Sequence, residues 1–436
     1  MIGDEIHKFA QELWPIHRSI TGEGARKTLR SISKHIRNLE IKSVPSGTKV
    51  FDWTVPKEWH VKEAFIITPN GKKICDFSLN NLHLVGYSIP FEGNIDFEEL
   101  KKHLYTLPDQ PNAIPYVTSY YKDRWGFCLS QNQLDTLEDG TYKVVIDSTF
   151  FDGVLNFGEL LINGKSNKEI FLSTYICHPS MANDNLSGPT VVTFLAKWLQ
   201  EIDKTDYSYR IIFIPETIGS ITYLSQNYKD MKNKIIAGFN VSCVGDDRAY
   251  SYLPSRDGKS ISDLVAKHVL KWIDKEFVEY SWIDKCSDER QYCAPGIDLP
   301  IASIMRTMYG MYPEYHTSLD NLEHVVTPQG LNGGYWAIRK IIEALEKNKN
   351  YKVTVMCEPQ LSKRDLYRSL SIKKEKTDED KFTGKIAIET SLILNFISFC
   401  DGNNSLLEIA DILNVPIWEL YNIVNILKDK KLISES

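Results

Sequence analysis

The sequence predicts an α/β fold with a mainly parallel sheet covered by helices, a β-rich inserted domain and a small C-terminal winged helix-turn-helix domain. Three observations lead to this expectation. After about residue 140, short apolar and β-branched runs alternate with stretches of helical spacing, a pattern typical of parallel strands linked by helices. Residues 45–135 carry many short strand-like runs separated by turn residues. Residues 357–436 end in a helix–turn–helix pattern.

Two helices are predicted at the start of the chain, because residues 3–14 and about 24–38 place apolar side chains at helical spacing. The polar turn between them is either a segment that faces a functional site or an ordinary connector. Residues 1–44 are assigned to the main domain, which resumes at residue 136 after the insertion at 45–135 and runs to residue 356.

Strands and helices alternate through the second part of the main domain. Predicted strands lie near residues 143–149, 157–163, 168–177, 209–215 and 235–244, and predicted helices near residues 187–202, 260–274 and 329–347. In a sheet of this kind, ligands and catalytic groups gather outside the carboxyl ends of the strands.

The C-terminal region, residues 357–436, combines a charged stretch with a small helical domain. The stretch from Ser362 to Lys385 is interpreted as a linker or a solvated loop. A capping box over residues 405–408 and the turn Asn414-Val415-Pro416 predict two helices, the second from Ile417 to Lys428. That helix has no Lys or Arg up to Leu427, whereas DNA contacts call for cations. We therefore favour an interaction or dimerisation module, with sequence-specific DNA binding as the rival.

Composition excludes some classes of partner. The 436 residues include 51 basic and 57 acidic side chains, a net charge of −6, so no general basic field draws the chain to nucleic acid or membranes. The eight cysteines show no CxxC spacing and are expected to be reduced thiols of a cytoplasmic protein. Neither an export signal nor an 18-residue apolar run is found in the sequence.

Polar residues with metal-binding chemistry follow the predicted strands. His178 comes just after the apolar run 170–176, and Asp184 stands between it and a helical pattern. Glu216 follows the strand at 209–215, and His316 lies in a polar turn. Zinc hydrolases need two or three N or O ligands, an open position for water and a carboxylate that takes the proton of that water. Together, His178, Asp184, His316 and Glu216 fill this list.

At these motifs the chain resembles the zinc-dependent aminopeptidases of the bacterial leucyl aminopeptidase type, in particular the aminopeptidase-like branch often associated with polysaccharide biosynthesis. The resemblance rests on Asn183-Asp184-Asn185-Leu186-Ser187-Gly188, on Glu216-Thr217 and on Tyr315-His316-Thr317-Ser318, in the order that the family has them. It implies that His178, Asp184 and His316 bind metal and that Glu216 is the base. It also implies that the β-rich insertion is a lid or side domain.

Two positions depart from the family pattern. Two-zinc relatives have a second acid where this chain has Thr217, and another where it has Ser242. Asp246 or Asp247 is a candidate substitute ligand. We therefore expect one well-bound zinc ion or weakly bound, exchangeable metals, with two zinc ions as the alternative.

The sequence thus predicts a cytoplasmic metal-dependent aminopeptidase or amidase that acts on a small peptide or an amide-containing small molecule. Four residues near the predicted rim or in the matching loops are candidates for substrate binding: Arg256, Asp288, Arg290 and Tyr315. The alternatives are a single-zinc acyltransferase of the glutaminyl cyclase type, a catalytically degraded binding protein, an enzyme that modifies a saccharide-linked amide, and a DNA-binding or scaffold protein. A homo-oligomer or a protein partner through the C-terminal domain is also open.

Overall fold

The computed structural model describes residues 1–364, 366 and 391–436. They divide into two compact units, described separately: residues 1–264 with 276–338, and residues 265–275 with 339–436. Most of the predicted linker, residues 365 and 367–385, lies outside the described residues. Within the described part, no helix combines the length and the apolar character that crossing a membrane requires.

The helices follow in chain order: α1 Ile2–Leu13, α2 Glu23–Ile32, α3 Phe97–Lys101, α4 Gln131–Leu134, α5 Ser187–Glu201, α6 Ile218–Lys234, α7 Ile261–Ile273, α8 Glu289–Tyr292, α9 Pro328–Lys347, α10 391–399, α11 Leu406–Leu413 and α12 Ile417–Asp429. The strands are β1 Glu40–Pro45, β2 Lys49–Val50, β3 Trp53–Thr54, β4 Glu58–Ile67, β5 Lys73–Ile74, β6 Phe91–Asp96, β7 Leu104–Tyr105, β8 Phe127–Cys128, β9 Thr141–Phe151, β10 Val154–Ile162, β11 Glu169–Tyr175, β12 Ser208–Ile214, β13 Ile235–Val241, β14 Ser251–Leu253, β15 Val278–Glu279, β16 Ile301–Met305, β17 Asn350–Val353, β18 Asp401–Ser405 and β19 Ile433–Glu435.

The first unit is built on an eight-stranded sheet with the strand order β1-β10-β12-β11-β13-β16-β14-β15. Its four central strands, β12, β11, β13 and β16, are parallel, as predicted. On either side, β10 and β14 join the centre in antiparallel pairings, so the sheet is mixed. Every residue of β11 is buried, because this strand is covered on both faces.

The β-rich insertion contains a four-stranded antiparallel sheet in the order β5-β4-β9-β6. Strand β9 corrects the sequence analysis, which placed residues 143–149 in the main sheet. It pairs with β4 and β6 because its alternating apolar residues, such as Tyr142, Val144 and Ile146, turn one face towards the core of the insertion. The insertion therefore extends beyond residue 135.

The second unit contains a three-stranded sheet, β18-β17-β19, beside helices α11 and α12. Ser405 and Glu408 form the predicted capping box of α11, and Asn414 ends this helix with a left-handed φ of 51°. Strand β17 corrects the predicted border at residue 357, because its backbone pairs with β18 and β19. Helix α6 and strand β16 were not predicted.

Candidate metal centre

The loops that follow the parallel strands of the main sheet lie at one edge of this sheet. Residues 176–184 follow β11, residues 215–217 follow β12, and residues 242–247 follow β13. Loops after neighbouring parallel strands lie side by side, so residues far apart in the sequence meet there. The predicted ligands and the predicted base stand in these loops or in the loop before α9.

His178 is buried just beyond the end of β11. Its Nδ1 atom lies 3.7 Å from Asp184 Oδ1 and has no hydrogen-bond partner. Burial lowers the pKa of His178 to about 4, so its imidazole is neutral near pH 7 and keeps a lone pair for a metal ion.

Asp184 is also fully buried, and both of its carboxylate oxygens are engaged. Tyr175 donates its hydroxyl hydrogen to Oδ1, and His316 Nε2 lies 3.0 Å from Oδ2. Burial alone would raise the pKa of this carboxyl group, but electrostatic interaction with the imidazoles of His178 and His316 and the hydrogen bonds to Oδ1 and Oδ2 lower it. Asp184 is therefore ionised at neutral pH.

A tight packing contact explains part of the motif around Asp184. A Cβ atom on Gly188 would lie 2.4 Å from Asn185 Oδ1 and 2.6 Å from the carbonyl oxygen of Val241. Only glycine allows the start of α5 to approach β13 this closely. Gly188 thus allows the loop that carries Asp184 to pack closely against the main sheet.

His316 lies in the loop before α9, and its own φ angle of 55° is in the left-handed region. Its ring stacks on Tyr315 at 3.9 Å between ring centroids. Its backbone carbonyl accepts a hydrogen bond of 2.8 Å from the backbone N–H of Tyr116, which belongs to the insertion. The ring of Tyr116 makes edge-to-face contacts with the rings of His178 and His316, with centroid distances of 5.4 and 5.1 Å. The insertion thus helps to wall the site.

His178, Asp184 and His316 each offer one ligand atom, and these atoms lie within 4.8 Å of one another. Two imidazole nitrogens and a carboxylate oxygen form a common donor set for zinc, with bonds of about 2.0–2.2 Å in a tetrahedral arrangement. That arrangement separates neighbouring ligand atoms by roughly 3.3 Å. His178 Nδ1 lies 3.7 Å from Oδ1 of Asp184, and His316 Nε2 lies 3.0 Å from the other oxygen, Oδ2. Both separations are close to this value, so the donor set fits zinc.

Glu216 follows β12 and places Oε2 3.6 Å from His178 Nε2. Its Oε1 atom accepts a hydrogen bond of 2.9 Å from Ser287 Oγ. Burial, together with the nearby charges of Asp288 and Asp184, raises the pKa of Glu216 well above its usual value. Such a carboxylate is a stronger base than an exposed one.

The two positions that depart from the family pattern differ in their contacts, because the buried hydroxyl of Ser242 has no hydrogen-bond partner among the described residues. The backbone N–H of Thr217 donates to Asp288 Oδ1 at 2.7 Å, and its hydroxyl oxygen accepts from Arg290 Nη2 at 3.0 Å. Ser242 is fully buried at the end of β13. Neither position supplies a carboxylate, so both departures from the family pattern remain in the folded chain.

The candidate substitute ligands lie outside this group. Asp246 is buried and accepts hydrogen bonds from Asn183 Nδ2 at 2.9 Å and from the backbone N–H of Thr307 at 2.9 Å. Asp247 is exposed and accepts from Thr327. Their carboxylates stabilise neighbouring loops in this structure.

Of the four candidate substrate-binding residues, three surround the site. Asp288 and Arg290 contact Thr217, and Tyr315 stacks on His316. Arg256 forms an exposed ion pair with Asp298 and is not brought into this group.

Sequence reasoning missed two supporting residues. Asp320 accepts hydrogen bonds from the backbone N–H groups of Asn183, at 2.7 Å, and Asp184, at 3.0 Å. Arg18, in the polar turn between α1 and α2, donates from Nε to the carbonyl oxygen of His178 at 2.9 Å. Their residue types allowed such roles, but only the folded chain reveals the partners, which are far away in the sequence.

Comparison with known proteins agrees with this architecture. A family model described as "Domain of unknown function (DUF4910)" matches residues 7–348, and a winged helix-turn-helix model matches residues 349–435. A Clostridium acetobutylicum protein, named as a candidate polysaccharide biosynthesis protein with an aminopeptidase-like domain, is 46% identical over 409 residues, which cover 94% of this chain and 91% of that protein.

Solved structures show the same fold. The crystal structure of a candidate peptidase from Clostridium acetobutylicum is 43% identical, covers 100% of this chain and 97% of its own, and has a TM-score of 0.91. A zinc aminopeptidase from Bacillus subtilis has a TM-score of 0.57 at 12% identity, covering 79% of this chain and 94% of its own. The second similarity concerns the fold alone. The aminopeptidase-like resemblance agrees with the name of the Clostridium acetobutylicum relative and with the fold of these structures, and the family model confirms the winged helix-turn-helix.

Proposed function

The chain belongs to the DUF4910 family, and from that premise we propose that it is a metal-dependent hydrolase that cleaves an amide bond in a small peptide or a small acylated compound. The observation that carries the proposal is the convergence of His178, Asp184 and His316 beside Glu216. Structural ion pairs also bring His and Asp together. The unpartnered Nδ1 of His178 and the raised pKa of Glu216 are less usual in such pairs.

Each residue has a distinct role in this proposal. Asp184 supplies a permanent negative charge, and His178 and His316 supply neutral nitrogen ligands. A bound zinc ion would polarise the substrate carbonyl and lower the pKa of a coordinated water to roughly 7. Glu216 takes a proton from the attacking water and passes it to the leaving nitrogen, a role typical of general acid–base catalysis.

The surroundings support the proton transfer. Ser287 holds one oxygen of Glu216 and leaves Oε2 turned towards His178. The rings of Tyr116 and Tyr315 pack against the ligand histidines, of which His178 is buried and His316 is partly exposed. A low-dielectric setting strengthens the charge interactions that the reaction needs.

The proposal is tested by metal analysis combined with a substrate screen on the full chain. We expect one zinc ion per chain and turnover of at least one compound in a panel of aminoacyl amides, N-acyl amides and saccharide-linked amides. Peptides with an N-terminal glutamine belong in the panel, because their cyclisation instead of hydrolysis would indicate the acyltransferase alternative.

The Glu216→Gln variant provides the decisive comparison. We expect it to keep its zinc and to lose turnover by about a factor of 10² to 10⁴, the usual contribution of a general base. Glu279→Gln, at an exposed position of β15, is the matched control and should behave as wild type. Equal rates for Glu216→Gln and wild type on every substrate would refute the catalytic role.

A further inference from the structure

Arg290 is a partly buried guanidinium beside the candidate site. It lies in the short helix α8, and its Nη2 atom donates to Thr217 Oγ1 at 3.0 Å. Because Thr217 directly follows Glu216, this contact places the guanidinium next to the proposed base. Its Nε atom is buried and has no hydrogen-bond partner.

Arg290 has no ion-pair partner in the described part of the chain. Arg210 shows the usual solution for a buried guanidinium in this protein, since Glu169 and Asp230 both lie within 2.7 Å of its nitrogen atoms. Removing a charge from water without a partner is costly, so an unpaired guanidinium in a partly buried position indicates a missing anion.

Burial raises the pKa of the nearby Glu216 and Asp288 and the charge of Arg290 lowers it, but in the described part of the chain neither carboxylate forms an ion pair with this guanidinium. Asp288 Oδ1 accepts from the backbone N–H of Thr217 and from Ser220 Oγ, each at 2.7 Å. Glu216 Oε1 accepts from Ser287. The guanidinium is therefore fixed by one contact and keeps donors for a planar oxyanion, which arginine binds through two parallel hydrogen bonds.

We infer that Arg290 anchors an oxyanion, a carboxylate or phosphate, carried by the substrate close to the amide that is cleaved. The inference rests on the proposed function and narrows its substrate to small anionic amides. A free ammonium group at the same place would be repelled by the guanidinium. The site thus selects an acidic amide over a neutral or cationic aminoacyl compound.

Anion binding tests this inference without any need for turnover. Inorganic phosphate and malonate are titrated by calorimetry into the zinc-loaded full chain, with Arg290→Met, Arg290→Lys and the surface control Arg256→Met alongside. We expect at least tenfold weaker binding in Arg290→Met, a smaller loss in Arg290→Lys, and no change in Arg256→Met. The anion that binds more tightly identifies the kind of oxyanion.

A second pair of variants covers the case in which Arg290→Met fails to fold. Thr217→Ala removes the hydroxyl that holds the guanidinium, and Thr217→Ser keeps it. We expect anion binding to weaken at least threefold in Thr217→Ala and to stay within twofold of wild type in Thr217→Ser. Equal dissociation constants for both variants and wild type, or no binding of either anion at millimolar concentration, would overturn the inference.

The two proposals fail in different ways. A chain that binds phosphate through Arg290 but cleaves no amide would contradict the proposed function alone. A chain that cleaves neutral amides at rates unaffected by Arg290→Met, and binds no anion, would contradict the anionic substrate class alone.

Discussion

Asp184 and Glu216 are two carboxylates of one site, and burial affects both, yet their pKa values move in opposite directions. Asp184 stands on the metal side, with His178 and His316. Glu216 stands on the proton side, with Ser287 and Asp288. Imidazoles and a tyrosine hydroxyl stabilise the ionised form of Asp184, whereas Glu216 faces another buried carboxylate. The partners of a buried acid thus decide whether its pKa falls, which favours binding of a cation, or rises, which makes it a stronger base.

The largest effect is expected from removal of the carboxylate on the metal side. Asp184→Ala should weaken zinc binding by more than about a hundredfold, since loss of a direct ligand exceeds the 10–100-fold cost of losing a supporting contact. Competition with a chelator measures the affinity. Asp147→Ala, which breaks a surface ion pair with Lys62, is the matched control. Unchanged affinity in Asp184→Ala would show that the metal side is not a metal site.

A smaller loss of zinc affinity is expected when a residue that supports the Asp184 loop is changed. Asp320→Asn weakens the acceptor that holds the backbone N–H groups of Asn183 and Asp184. We expect zinc affinity to fall by about ten- to a hundredfold while the variant remains folded. Chelator competition and a thermal melt separate the two effects. Wild-type affinity would show that the Asp184 loop does not depend on Asp320.

The proton side should make stability depend on pH. Burial raises the pKa of Asp288 to about 7 from 3.8, although hydrogen bonds from Thr217 and Ser220 act in the opposite direction. A raised folded-state pKa stabilises the fold most below pH 3.8, and this stability is lost as pH rises through about 7. The slope from this one group is at most about 1.4 kcal/mol per pH unit.

Asp288→Asn tests this dependence. Its neutral amide cannot titrate, so the fall in unfolding free energy between pH 4 and 7 should be smaller than in wild type, as denaturant titrations at several pH values would reveal. Asp203→Asn, at an exposed position, is the control. Parallel stability curves for Asp288→Asn and wild type would contradict the raised pKa.

The smallest expected effect concerns the orientation of the base. Ser287→Ala removes the hydrogen bond that lowers the pKa of Glu216, at a cost of about 1 kcal/mol. On a substrate from the screen, we expect the acidic limb of the profile of kcat/KM against pH to move to higher pH, by less than about one unit. Ser281→Ala, at an exposed position, should leave the profile in place.

Much of the fold could be predicted from local patterns. The alternation of buried strands and amphipathic helices predicted β10 to β13 and helices α5, α7 and α9 within a few residues of their bounds. The capping box at Ser405 predicted the start of α11. The hydrogen bonds of such a cap join residues only three positions apart, so the sequence shows them directly.

The errors concern pairings between distant segments. Strand β9 has a pattern that suits either sheet, and only its registry with β4 and β6 assigns it to the insertion. The sequence analysis also placed strand β17 outside the winged-helix domain. Its partners β18 and β19 lie far along the chain, so a local pattern could not reveal the pairing.

The sequence by itself determined which residues have the chemistry for a metal site, since His178, Asp184, Glu216 and His316 stand beside recognisable strand ends or in a familiar motif. Only the tertiary structure decided how these residues divide their roles. Asp320, Arg18 and Tyr116 hold the ligand loops, and Thr217 holds Arg290, through contacts between distant parts of the chain. The physical reason is that donor chemistry belongs to the residue type, whereas burial, partner charge and orientation arise only when separate segments pack together.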